Sequence, residues 1–137
     1  MGADAEVVRR LTEEVFVGGN LEVLDEVLAE DFVSHDPPPG VPGTRDGLRD
    51  VARLVTGAFS DRKLEFDELI DTVDGRVVES WAMTATHTGE AFGFPASGQT
   101  VRVRGVDIHR CSGGKIVEHW AAMDMSDFFE KAQSATS

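Results

Sequence analysis

One change of period constrains this chain more than any other feature. As far as Phe59 the apolar residues recur at helical spacing; from Leu64 onward they alternate. Val7, Val8, Leu11 and Val15 share one helical face, and Gly18-Gly19 ends that helix. Asn20 reads as the N-cap of a second helix with Leu21, Leu24, Val27 and Leu28 inside. Asp31–Ser34 then leads into a stiff loop, His35-Asp36-Pro37-Pro38-Pro39-Gly40. Thr44 caps a third helix whose buried stripe is Leu48, Val51, Val55 and Phe59. After Ser60, the residues Leu64, Phe66, Glu68 and Ile70 alternate with charged or polar neighbours, and Asp74-Gly75 is a hairpin turn signal. Residues 76–87, 99–110 and 115–123 read as strands, 89–98 as an irregular crossing or short edge strand, and Ser126 as the cap of a short last helix. Helices followed by consecutive antiparallel strands imply an α+β fold. A strongly twisted sheet of this kind curls over its helices and leaves a cone-shaped pocket.

The 137 residues make a single domain, with flexible ends expected at 1–5 and 131–137. No apolar run approaches the roughly 20 residues of a membrane span. The stretch MGADAEVVRR lacks the basic-then-apolar order of a secretion signal, and Cys111 is alone. These features lead us to expect a cytoplasmic protein. A formal net charge of −12 would repel nucleic acid and anionic lipid, so neither is an expected partner.

The candidate chemistry rests on four histidines, His35, His87, His109 and His119, because imidazole titrates near neutral pH. Strand alternation puts Val101, Val103, Gly105, Asp107 and His109 on one face, and Val117, His119, Ala121 and Met123 on one face of the last strand. Two hairpin registers compete. A three-residue loop, Ser112–Gly114, sets Asp107 opposite His119; a two-residue loop, Gly113-Gly114, sets Asp107 opposite Trp120. The first is preferred because it keeps Glu118 off the cavity side. An Asp–His pair at a cavity wall can take and return a proton, or it can merely fasten two strands. His35, in the triple-proline loop, is a candidate for the pocket mouth or a plain rigid turn. Trp81, Met83 and His87 share a strand face that serves the core or lines a pocket. With Phe59, Val103, Ala121 and Met123 they are the candidate substrate contacts. His109 is expected near the hairpin end, structural or solvated.

No phosphate-binding loop, nucleophile elbow, HExxH or set of metal ligands at motif spacing is present in the sequence, so no metal or cofactor is expected. Nothing in the sequence beside Cys111 would activate its thiol.

The order of several short segments resembles the SnoaL-like polyketide cyclases of the NTF2-like superfamily. They are Asp31-Phe32-Val33, His35-Asp36-Pro37, Thr86-His87-Thr88-Gly89, residues 93–98, Gly105-Val106-Asp107-Ile108 and Gly113-Gly114-Lys115-Ile116-Val117-Glu118-His119-Trp120. The resemblance runs from Val7 to Phe129. It implies a cone of three or four helices on a strongly curved antiparallel sheet, commonly dimeric through the outer sheet face. It also implies ring closure by aldol condensation without metal or cofactor. In that family a carboxylate just after the Glu-His-Trp-like stretch is the acid–base, with a histidine on the preceding strand. Here those positions hold Ala121 and Asp107, so the acid–base role would move to Asp107, assisted by His119 or His35. The expected function is therefore a cofactor-independent cyclase or isomerase acting on a small apolar, polyketide-like metabolite. A hydrolase of epoxides or lactones and a non-catalytic binding or dimerisation module are the alternatives.

Overall fold

A computed structural model describes residues 2–136. The elements are α1 (Ala3–Arg10), a π-helix (Leu11–Val17), α2 (Val23–Val27), β1 (Leu28–Ser34), α3 (Arg45–Ala58), β2 (Phe59–Asp71), β3 (Arg76–His87), β4 (Thr100–Ser112), β5 (Lys115–Asp124) and α4 (Ser126–Thr136). Of the ends expected to be flexible, Ala3–Ala5 begin α1 and 131–136 close α4, while Met1 and Ser137 lie outside the described residues. Among the described residues, no helix is long and apolar enough to cross a membrane.

The four later strands pair antiparallel in sequence, and β1 joins the far edge parallel to β5, giving the order β1-β5-β4-β3-β2. The sheet is therefore mixed, and it curls without closing. The helix with Val8, Leu11 and Val15 inside continues past Arg10 as a π-helix, and Gly19 stops it at φ 77°. The second helix is shorter than its spacing implied. Leu28 leaves it as the first residue of β1, and Asn20 does not cap it: its carbonyl accepts a turn bond from Val23 N–H at 3.3 Å. The Thr44 cap is as expected, its hydroxyl accepting from Gly47 N–H at 3.1 Å. Ser126 instead donates its hydroxyl to Asp124 at 2.7 Å, and α4 carries the wholly buried Phe128.

One core lies between α1, the π-helix, α2 and the hairpin end of the sheet, around Val8, Leu24, Leu28, Val77 and Ile116. A second, around Phe59, Ala85, Val101 and Phe128, sits under α4 at the opposite end. Helix α3 packs on β1 and β2, the two outermost strands, and so arches over the middle ones. Its stripe Leu48, Val51 and Val55 is consequently half-buried, while Gly47, Ala52 and Ala58 are buried. Arg62 ties helix ends to β2: its guanidinium donates to the carbonyls of Val17 at 2.8 Å and Thr56 at 3.2 Å. A planar fork suits this bridging of two orphan carbonyls.

Candidate active site

Three adjacent strands put five polar or ionisable side chains on the concave face. In the pairing of β3 with β4, Glu79 is opposite Asp107, Val77 opposite His109 and Trp81 opposite Gly105. In the pairing of β4 with β5, Asp107 is opposite Ala121, and His109 opposite His119. Two diagonal contacts cross these rows. His119 Nε2 lies 3.0 Å from Asp107 Oδ2, and His109 Nε2 lies 3.8 Å from Glu79 Oε1. The two imidazoles stack, with centroids 4.8 Å apart. On its other side His119 Nδ1 is 3.3 Å from the Ser34 hydroxyl.

The expected Asp107–His119 contact is present, and the hairpin register behind it is neither of the two considered. The loop is the short one, with Ser112 opposite Lys115, but an irregularity follows between Arg110 and Cys111. That extra residue on β5 restores the parity of the longer loop and slides the strand by two residues. Asp107 thus meets His119 diagonally, and Ala121 faces it directly. Glu118 falls on the outer face, as the preference for that parity required, and pairs there with Arg110 and His35.

The partners define the charge pattern. Trp81 Nε1–H donates to Asp107 Oδ1 at 3.3 Å. The indole can lie there because Gly105 has no side chain; a methyl at that position would stand 2.5 Å from Trp81 Cζ2. Asp107 and His119 keep 13% and 12% of their side chains exposed, enough for solvent to reach the pair. Behind them the environment is dry. Desolvation, and next the Asp107 charge, push the Glu79 carboxyl up to about 8, with Thr12 pulling the other way. Desolvation pushes His109 down to about 3, so this imidazole is neutral, and neither of its ring nitrogens has a hydrogen-bond partner among the described residues. Burial likewise pushes the Cys111 thiol up to about 12, which makes it unreactive.

Asp107, His109 and His119 each offer one ligand atom, all within 4.8 Å of one another. A shared ion with bonds of about 2.1 Å needs its ligand atoms within about 3.5 Å of each other. The stacked rings, only 26° from parallel, aim their nitrogens side by side and not at one point. The 3.0 Å pair fits a shared proton better than a shared ion.

The other candidate residues fall elsewhere. His35 stacks on Trp120 and bonds Glu118 Oε2 at 2.8 Å, on the outer face and away from the pair. Phe59 and His87 belong to the core under α4: His87 is fully buried, and its Nδ1 accepts from Ser97 N–H at 3.2 Å. Trp81 touches Asp107 directly. Met83, Val103, Ala121 and Met123 share the concave face, and exposure rises to 53% at Met123, so this end of the sheet is the open one. Two shallow depressions, one over Arg102, Asp127 and Lys131 and the other over Ser80, Val106 and Ala122, do not reach the pair. His109 is buried, so of the two places expected for it, structural or solvated, the structure excludes the solvated one. Glu79 and Thr12 were not anticipated; the available signal was an acid on the buried parity of β3, between Val77 and Trp81.

A family model of SnoaL-like polyketide cyclases matches residues 6–131. The chain belongs to that family. Among solved structures, this SnoaL-like chain is 28% identical to IdmH of Streptomyces antibioticus, a proposed polyketide cyclase, covering 93% of this chain and 96% of that one at a TM-score of 0.78. It is 22% identical to TsrD of Streptomyces laurentii (95% and 94% covered, TM-score 0.82). It is 24% identical to AclR of Streptomyces galilaeus, a proposed hydroxylase (96% and 96%, TM-score 0.82). No curated relative matches. The cross-strand pair Asp107 and Ala121 occupies the two places where the SnoaL-like resemblance led us to look for a histidine and its acid–base carboxylate.

Proposed function

We propose that this SnoaL-like protein is a cyclase or isomerase that moves protons on a small apolar metabolite without metal or diffusible cofactor. The observation that carries the reading is the Asp107–His119 contact, 3.0 Å long and partly open to solvent, where the closed core gives way to the open end of the sheet. Asp107 takes an acidic C–H or O–H proton, and His119, held by Ser34, orients the carboxylate and shares the proton it takes. Trp81 holds the free Asp107 oxygen, while Met83, Val103, Ala121 and Met123 offer apolar contact. The test is hydrogen–deuterium exchange at the acidic C–H of 1,3-diketone ring precursors, followed by NMR. Exchange catalysed by the wild type, and undiminished by exhaustive chelation, is expected. Loss of exchange on chelation, restored by one metal, would overturn the cofactor-independent mechanism.

A second reading, a binding module without chemistry, is favoured by Ala121 alone, since it empties the family's carboxylate position. Tight ligand binding with no exchange on any precursor would select it.

We also propose a homodimer through the outer sheet face. Val106 and Ile108 are 48% and 38% exposed there, next to Trp120. Exposed apolar area gathered on one sheet face marks an interface. Sedimentation should give twice the chain mass at micromolar concentration; a monomer would count against the interface.

A further inference from the structure

Glu79 is 2% exposed, yet it is an acid placed beside another acid. Two carboxyl groups side by side in a dry site do not both ionise, so one of them keeps a proton. Their partners decide which. Asp107 faces Trp81 Nε1–H, which can only donate, and a ring nitrogen of His119. It is also the more exposed of the two. Among the described residues, Glu79 has one hydrogen-bonded neighbour, the Thr12 hydroxyl, 3.2 and 3.0 Å from its two oxygens. That hydroxyl also lies 3.3 Å from the carbonyl of Val8. A single hydroxyl proton cannot serve both the carbonyl and a buried carboxylate. With Glu79 protonated the bonds run in one direction: the Glu79 O–H donates to Thr12 Oγ1, and the Thr12 O–H donates to Val8. An ionised Glu79 would be a buried anion with one neutral donor, which is costly.

The groups facing Glu79 are Asp107 and His109 from β4, His119 from β5 beyond them, and the uncharged Thr12 from the π-helix. Among the described residues, no lysine or arginine forms an ion pair with it. His109 stands at 3.8 Å with both nitrogens unpartnered, and its burial keeps it neutral.

We propose that Glu79 is held as a neutral carboxylic acid, and that its proton is what lets the adjacent Asp107 stand as a carboxylate base. Glu79 is thus a positioning residue: it acts through Asp107 by not being charged. The inference rests on the reading of Asp107 as the base, but its test does not need turnover. In the full chain, carboxyl 13C NMR should show Glu79 protonated at pH 7 and ionising only on the alkaline side. The ring resonances of His119 should record that ionisation as an alkaline inflection, absent in Glu79→Gln, where a neutral amide replaces the acid. In Asp107→Asn, Glu79 should ionise at lower pH, because the neighbouring negative charge is gone. Glu79 found ionised at pH 6, or an alkaline His119 inflection that survives Glu79→Gln, would overturn the proposal. The carboxyl measurement uses the wild type, so it stands even where a variant fails to fold. Undiminished turnover in Asp107→Asn would sink the mechanism, whereas these titrations judge Glu79 separately.

Discussion

Asp107→Asn is expected to lower turnover about 10²–10⁴-fold while the fold survives, the range seen when a positioned general base is removed. The amide has the shape of the carboxylate and can still accept from Trp81, whose indole donates to Oδ1 at 3.3 Å. It cannot take a proton. His119→Ala removes the group 3.0 Å from Asp107 and the ring stacked on His109, so it should lower turnover and loosen the face as well. Asp107→Asn is therefore the cleaner of the two. Measured on whichever precursor the wild type converts, turnover within about threefold of the parent would reduce Asp107 to a strand-pairing carboxylate.

The largest effect on stability should come from Glu79→Gln, and it should depend on pH. In the folded chain the carboxyl titrates at about 8, against an ordinary value of 4.5. Below 4.5 both folded and unfolded chains hold the proton, so the group contributes no penalty. As pH rises from 4.5 toward 8 the unfolded chain releases the proton and the folded chain does not, so stability falls. Above 8 the loss is complete. His109 has the opposite slope. It titrates at about 3 when folded against 6.5 unfolded, so its contribution is present above 6.5 and is lost as pH falls toward 3. The two slopes oppose each other between 4.5 and 6.5, and between 6.5 and 8 Glu79 acts without His109. Glutamine removes the Glu79 slope. The stability of the variant relative to the parent should therefore grow by roughly 3–5 kcal/mol between pH 4.5 and pH 8. Urea titrations across that range measure it directly, and a difference that stays constant with pH would mean that Glu79 is ionised in the folded chain.

The sequence made some of this legible and hid the rest for physical reasons. Arg76–His87 and the last hairpin could be read because alternation and glycine turns are local signals. β1 could not, because its partner residues lie more than 80 positions away and its spacing still fits a helix at Leu28. The shared face of Asp107 and His119 followed from parity alone. Their diagonal geometry did not, since it depends on an irregularity that no residue type announces. Glu79 was missed because an acid on a strand looks like a solvated one until the π-helix is seen to cover it with Thr12. His35 stayed open between the pocket mouth and a plain turn because the proline loop shows rigidity but not side. It is Trp120 and Glu118, on the outer face, that claim it.

The irregularity in β5 also bears on how such a chain can change over generations. His119 and Trp120 are neighbours in sequence yet face opposite sides of the sheet, one toward the acid and the other under His35. The extra residue after the Gly113-Gly114 turn sets which goes where. Pairing that continued from Cys111 and Ile116 without the bulge would turn the indole inward opposite Asp107 and send the imidazole out. This short stretch behaves as a reading frame for the strand. Most substitutions there adjust chemistry by degrees, but one that let the ladder pair without the bulge would exchange the concave face with the outer face in one step.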